Sequence, residues 1–181
     1  LVICNGDPAQ IYRNLVPEEN RKRWTNRRID ALKYSMGLYV LYFGTDRKYT
    51  DVEHHTIVFG EQYQELLQRI FAGEPAGDDL SLYLHRPTAT DPNLAPEGKD
   101  TFYVLAPVPN LQRHDWLAVQ DQVRERVIDI LEQRILPDLR QHMDVCFDLD
   151  PMQFDADYAS RWGAGFSTVS YTHLTLPTNG L

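Results

Sequence analysis

The chain has 181 residues, 43% of them hydrophobic and 24% charged, which places it among ordinary globular sequences and away from disordered or fibrous ones. A net charge of −8 excludes nucleic acid as the expected partner, because phosphate binding needs clustered positive charge. Two cysteines, Cys4 and Cys146, stand far apart without metal-ligand spacing, so they offer neither a disulfide framework nor a zinc signature.

Leu1 to Cys4 is an apolar run that stops at the turn cluster Asn5-Gly6-Asp7-Pro8, which predicts the end of a buried strand. A helix is expected from about Ala9 to Leu15, and a charged helix from Pro17 to Leu32. Positive charge concentrates there, in Arg21, Lys22, Arg23, Arg27 and Arg28 around Trp24. Such a run is either a solvated helix face or a contact with anionic headgroups, where tryptophan also sits well. Aromatic and β-branched residues predict a strand over Tyr34–Phe43, and His54–Phe59 reads as a second. Apolar residues recur at three and four between Glu61 and Phe71, which is helical spacing ending at Gly73.

Leu80–Leu84 alternates as a strand. Pro87–Asp100 is a loop in which Ala95-Pro96-Glu97-Gly98 suits a type I turn. Thr101–Val108 is a further strand whose end Pro107 and Pro109 should keep from pairing. Val119, Val123, Val127, Ile130, Leu131 and Ile135 line one face of a long helix broken at Pro137, and Val145–Leu149 is the last strand. The sum is an α+β layer, with a mixed or antiparallel sheet and helices packed on it. The longest strongly apolar stretch, Tyr34 to Gly44, is too short to span a bilayer, so any membrane link is expected to be peripheral.

No catalytic motif appears by spacing: GxGxxG, the P-loop, GxSxG and HExxH are all missing. His54-His55 is the most conspicuous pair. Neighbours on a strand point to opposite faces, so joint metal ligation by the two is not expected, and the commoner role of such histidines is structural. Tyr83 and His85 share a strand face and could line a pocket wall. Arg86 is costly to bury unless paired, which favours a surface or ion-paired role. The aromatic strand puts Tyr34, Met36, Leu38, Val40 and Tyr42 on one face, a pattern that suits plain core as well as an apolar channel.

Two blocks carry a family resemblance. YSMGLYVLYFGTDRKYTDVEHHTIVFGEQYQELLQRIF (Tyr34–Phe71) and LSLYLHRPTATDPNLAPEGKDTFYVLAPVPNL (Leu80–Leu111) closely resemble the bacterial FAD-dependent phytoene desaturases, in order and spacing as well as in residues. The opening VICNGDPAQIY (Val2–Tyr12) looks like that family's strand and turn re-entering the flavin domain, with Gly6 where relatives commonly carry Ala. The resemblance covers about residues 1–167 and implies an internal fragment: residues 1–16 ending a Rossmann-type FAD domain segment, and residues 17–167 an incomplete substrate domain. It implies desaturation of a phytoene-like polyene hydrocarbon by hydride transfer to FAD, with oxygen or a quinone as electron acceptor. A cytoplasmic, peripherally membrane-associated protein follows, since the substrate lives in a bilayer. Asn5, Gly6 and Asp7 are the implied cofactor-side residues, and Tyr39, Tyr42, His55, Tyr83, His85 and Arg86 the implied substrate cavity wall. No catalytic base is assigned. The flavin fingerprint and the glycine-rich closing segment of the family are both expected outside this chain. A carotenoid isomerase, ketolase or C30 desaturase on the same scaffold remains an alternative, as does a non-catalytic hydrophobic-ligand carrier. The tail from about Thr168 to Leu181 resembles the translation of a transposon-end sequencing adapter and is left out of the fold.

Overall fold

The computed structural model describes residues 3–168, so the adapter-like tail lies outside the described residues except for Thr168. Five strands form one sheet: β1 (Gly37–Thr45), β2 (His55–Val58), β3 (Leu82–His85), β4 (Asp100–Val108) and β5 (Met143–Leu149). Their order is β2-β3-β4-β1-β5, and every pairing is antiparallel. β1 lies between its partners because both of its edges pair, from Gly37 opposite Val108 on one side and from Val40 opposite Leu149 on the other.

The pleat divides the residues of each strand between two environments. Tyr39, Leu41 and Phe43 of β1, Leu82 and Leu84 of β3, and Phe102, Val104, Ala106 and Val108 of β4 enter the main core. Helix α3 (Tyr63–Ala72) contributes Leu66 and Ile70 to that core, and helix α4 (Gln120–Arg134) contributes Val127, Ile128, Ile130 and Leu131. Each fully buried aliphatic side chain of this kind stabilises the fold by about 1.5–3 kcal/mol, which fixes the helices to one face of the sheet. α3 ends at Gly73, whose φ of 80° is the left-handed geometry of a helix C-cap.

Several expectations change. Ile3 and Cys4 are not in a strand, and Leu1 and Val2 lie outside the described residues. A strand needs a neighbour, and none of the five described strands pairs there. The expected helix over 17–32 is a single 3₁₀ turn at Glu18–Asn20 followed by the short helix α2 (Asn26–Asp30). Thr25 accepts from the Arg28 N–H and starts α2 locally, and the segment has no continuous apolar stripe to hold a longer helix. The turn in the long loop is shifted by one residue: the Lys99 N–H donates to the Pro96 carbonyl at 3.0 Å, and Gly98, with φ 82°, takes the left-handed position. Pro107 does not end β4, which stays paired with β1 through Pro107, opposite Leu38, to Val108; pairing with β3 stops at Leu105.

Two helices escape the periodicity reading. α5 (Leu139–His142) is a single turn, and α6 (Pro151–Tyr158) starts at a capping box in which Asp150 and Gln153 satisfy each other's backbone N–H groups. The first helix is as expected: α1 (Pro8–Leu15) is capped by the Asp7 carboxylate, which accepts from the N–H groups of Ala9 and Gln10. α1 and α2 share a second small core of Ala9, Ile29, Tyr34 and Ala164, flanked by Tyr12, Trp24, Leu32 and Trp162. The two ends of the described chain meet here: the Ser167 hydroxyl donates to the Asp7 carboxylate, the Ser35 N–H donates to the Ser167 carbonyl, and Gly37 bridges to Ala164. Among the described residues no helix is long and apolar enough to cross a membrane.

Candidate functional site

One sheet face is covered by helices; the other carries a continuous band of aromatic rings. Phe147 of β5 stacks on Tyr42 of β1 with ring centroids 5.0 Å apart, and Tyr42 meets Tyr103 of β4 at 5.8 Å. Tyr103 in turn meets Tyr83 at 5.9 Å and His85 at 4.6 Å, both on β3. His55 of β2 closes the band, with its Nδ1 2.7 Å from the Tyr83 hydroxyl. Each ring sits at an alternate strand position and each contact crosses to the adjacent strand, so sheet register alone assembles the band.

This face is open. Ile57, Val145 and Phe147 are each more than half exposed at its two edges. Large apolar groups left in water at the edges of a sheet face mark a surface that something apolar covers. Burial pushes the phenol pKa of Tyr42 and Tyr83 above the ordinary tyrosine value, Tyr83 also through its hydrogen bond with Tyr103, so both stay neutral hydroxyls. Desolvation, followed by the neighbouring His54 and His55, moves His85 below the usual histidine range. The face therefore carries aromatic surface with hydroxyl and imidazole tips. It can stack against an extended apolar molecule and has no group placed to ionise one.

The structure brings together four of the expected wall residues, Tyr42, His55, Tyr83 and His85, on this face. Tyr39 lies on the opposite side, buried in the core, where its hydroxyl donates to Asp148 at 2.9 Å and its ring meets Trp116 at 5.9 Å. Its odd position in β1, against the even Tyr42, dictates this. Arg86 is also buried, and forms a two-bond ion pair with Asp100 through Nε at 2.9 Å and Nη2 at 3.2 Å. Tyr103 and Phe147 also belong to the band, and the sequence did not single them out. The alternation of β4 and β5 was the available signal, but only strand order shows that they neighbour Tyr42.

His54 and His55 also part from the two-face expectation. β2 begins at His55, so His54 lies before the pleat and its ring folds back to within 4.3 Å of the His55 ring.

The N-terminal candidates are placed differently. The Asp7 carboxylate is committed to capping α1 and to the Ser167 hydroxyl. A Cβ on Gly6 would meet only the Ile11 side chain at 3.6 Å, an ordinary contact, so no close backbone approach demands glycine there. Asn5, Gly6 and Asp7 thus present one turn and a helix start, and the described residues do not fit FAD as a self-sufficient cradle. In the basic segment, Trp24 stacks on Tyr12 at 5.3 Å beneath the Arg28 guanidinium, and Arg21 is buried against Asn26, so neither Trp24 nor Arg21 projects freely.

Curated relatives match nearly the whole chain. A neurosporene-forming phytoene desaturase of Rhodobacter capsulatus is 41% identical over 173 residues, covering 92% of this chain and 33% of its own length. A lycopene-forming phytoene desaturase of a Paracoccus species is 40% identical over 169 residues, covering 92% of this chain and 34% of its own length. The chain is a segment of the phytoene desaturase type. It spans about a third of the length of the curated relatives it matches. No protein-family model matches. Among solved structures, an oxidoreductase from Methanosarcina mazei superposes with a TM-score of 0.51 at 17% identity, over 83% of this chain and 31% of that one. That likeness concerns the fold alone.

Proposed function

We propose that this segment supplies one wall of the substrate cavity in an FAD-dependent carotenoid desaturase that introduces double bonds into a phytoene-like polyene. The observation that carries the reading is the aromatic band from Phe147 through Tyr42 and Tyr103 to Tyr83 and His55, on a sheet face left exposed at both edges. A C40 hydrocarbon has no polar handle, so it is held by extended apolar and aromatic surface along its length. The band provides that surface across all five strands.

The flavin, when bound by the remainder of the protein, accepts the hydride; oxygen or a quinone is the proposed final acceptor. The contribution of this chain is to orient the polyene and exclude water from one side of it. The domain division follows from the same picture. Asp7 and Ser167 lie together, and this supports the proposal that a substrate domain is inserted into a Rossmann-type flavin domain. Residues 5–7 are then at the seam with that domain rather than a cofactor cradle by themselves. A protein whose substrate dissolves in lipid meets the cytoplasmic membrane surface peripherally.

The experiment is a desaturation assay on the intact flavoprotein with phytoene in liposomes, read by chromatography of coloured products. Tyr103→Lys places a charge at the centre of the band and is expected to lower turnover at least tenfold at unchanged flavin content, by analogy with the cost of charge on an apolar surface. Unchanged turnover for Tyr103→Lys and Tyr42→Lys alike overturns the wall assignment. Absence of any desaturated product from the flavin-loaded wild type overturns the desaturase reading and favours ligand carriage.

A further inference from the structure

The histidines at the β2–β3 edge of the sheet form a group of their own. His54 precedes β2, His55 opens it, and His85 ends β3 directly opposite His55 in register. One ring nitrogen from each of the three lies within 4.8 Å of the others. His54 is held from both sides: its carbonyl accepts from the Arg86 N–H at 2.9 Å, and its Nδ1 is 2.5 Å from the Thr90 hydroxyl. His55 is held through Nδ1 by Tyr83. The Nε2 atoms of His54 and His85 face each other at 2.8 Å, and the His85 Nδ1 is buried without a partner.

Three imidazole nitrogens this close together could hold a metal ion. Zinc-binding histidines have one ring nitrogen fixed by an outer hydrogen bond so that the other is presented to the ion. Thr90 and Tyr83 do this for His54 and His55. Zn–N distances of about 2.0–2.1 Å in tetrahedral geometry separate ligand nitrogens by about 3.3 Å. To admit the ion the His54 and His85 nitrogens part by about half an ångström, metal bonds replacing the hydrogen bond between them, and the exposed His55 ring, whose nitrogen is within 4.8 Å of both, closes in on them. His55 is exposed, which leaves a fourth position on the solvent side for water. An all-nitrogen set selects zinc, nickel or copper over magnesium or calcium, which take oxygen ligands.

We propose that His54, His55 and His85 bind a divalent borderline metal ion, zinc first among them, and thereby tie the segment before β2 to the β2–β3 edge. The site shares His55, His85 and Tyr83 with the edge of the proposed wall, but its test needs neither flavin nor polyene. Its test is titration of the chelator-treated intact protein with Zn²⁺ by calorimetry, and with Co²⁺ by visible absorption. One equivalent of Zn²⁺ with micromolar or tighter affinity and a tetrahedral cobalt spectrum are expected. His85→Gln and His55→Gln should each weaken binding at least tenfold, and Thr90→Val roughly tenfold through the outer hydrogen bond alone. If the histidine variants misfold, anomalous scattering at the zinc edge from the unsubstituted protein decides, with a peak expected between the three rings. No stoichiometric binding, or binding that all three substitutions leave unchanged, overturns the site.

Discussion

The ion pair of Arg86 and Asp100 should be the most sensitive single point in this sheet. The Asp100 side chain is fully enclosed and accepts four hydrogen bonds: two from Arg86, one from the Thr88 hydroxyl at 2.8 Å and one from the Tyr49 N–H at 2.7 Å. Arg86 adds a bond to the Val52 carbonyl at 2.8 Å, so the pair joins β3, β4 and the 49–52 turn. Asp100→Ala removes the counter-charge but leaves the guanidinium buried, and breaking one side of such a pair costs about 3–5 kcal/mol. At about 1.4 kcal/mol per factor of ten, the opening equilibrium of the surrounding amides should rise roughly a hundred- to several-thousand-fold. Hydrogen–deuterium exchange of the intact protein, followed in peptides covering β4 and the 49–52 turn, reads this directly. The double substitution Arg86→Met with Asp100→Leu removes both charges and their desolvation cost, and should recover much of the protection. Less than a tenfold change for Asp100→Ala, or a double variant worse than the single, would refute the claim that the pair organises this region.

Two further outcomes follow from particular positions. Tyr34 is buried with an unpartnered hydroxyl, and burial first, then the Asp7 carboxylate, pushes its pKa up to about 12. The raised folded-state value means that its stabilising contribution is complete below the unfolded value near 10 and is lost as pH rises toward 12. Ultraviolet titration should show late-ionising phenol that titrates near 10 in Tyr34→Phe-subtracted difference spectra only after denaturation; ionisation near 10 in the native protein would refute the burial argument. Gly163, with φ 63°, has room for no Cβ, which would lie 2.1 Å from the Pro151 carbonyl oxygen. Gly163→Ala should destabilise by at least about 1–3 kcal/mol, seen as a lower thermal midpoint, whereas an unchanged midpoint would show that α6 and the 161–164 turn are not packed as described.

The local elements were largely legible in the chain itself. Aromatic and β-branched composition marked β1, period-two alternation marked β3, and the apolar repeat of Val123, Val127, Ile130 and Leu131 marked α4, because a side chain's burial follows the backbone period. Alternation by itself also puts Tyr39 and Tyr42 on opposite faces of β1. Where capping and turn chemistry outweighed periodicity, as at Thr25, Gly98 and Asp150, boundaries moved or elements went unseen.

What only the tertiary structure decided is which residues distant in sequence stand together. Strand order β2-β3-β4-β1-β5 sets Phe147 beside Tyr42 and Tyr103 beside Tyr83 across separations that no spacing rule spans. It pairs Arg86 with Asp100 in the interior rather than at a cavity wall. It also folds His54 out of the pleat and onto His85, because the segment before β2 is anchored by Arg86 and Thr90 rather than by its own strand. Sequence specifies each strand's two faces through local stereochemistry; which faces adjoin, and which is left open, depends on the summed burial of the whole sheet against α3 and α4.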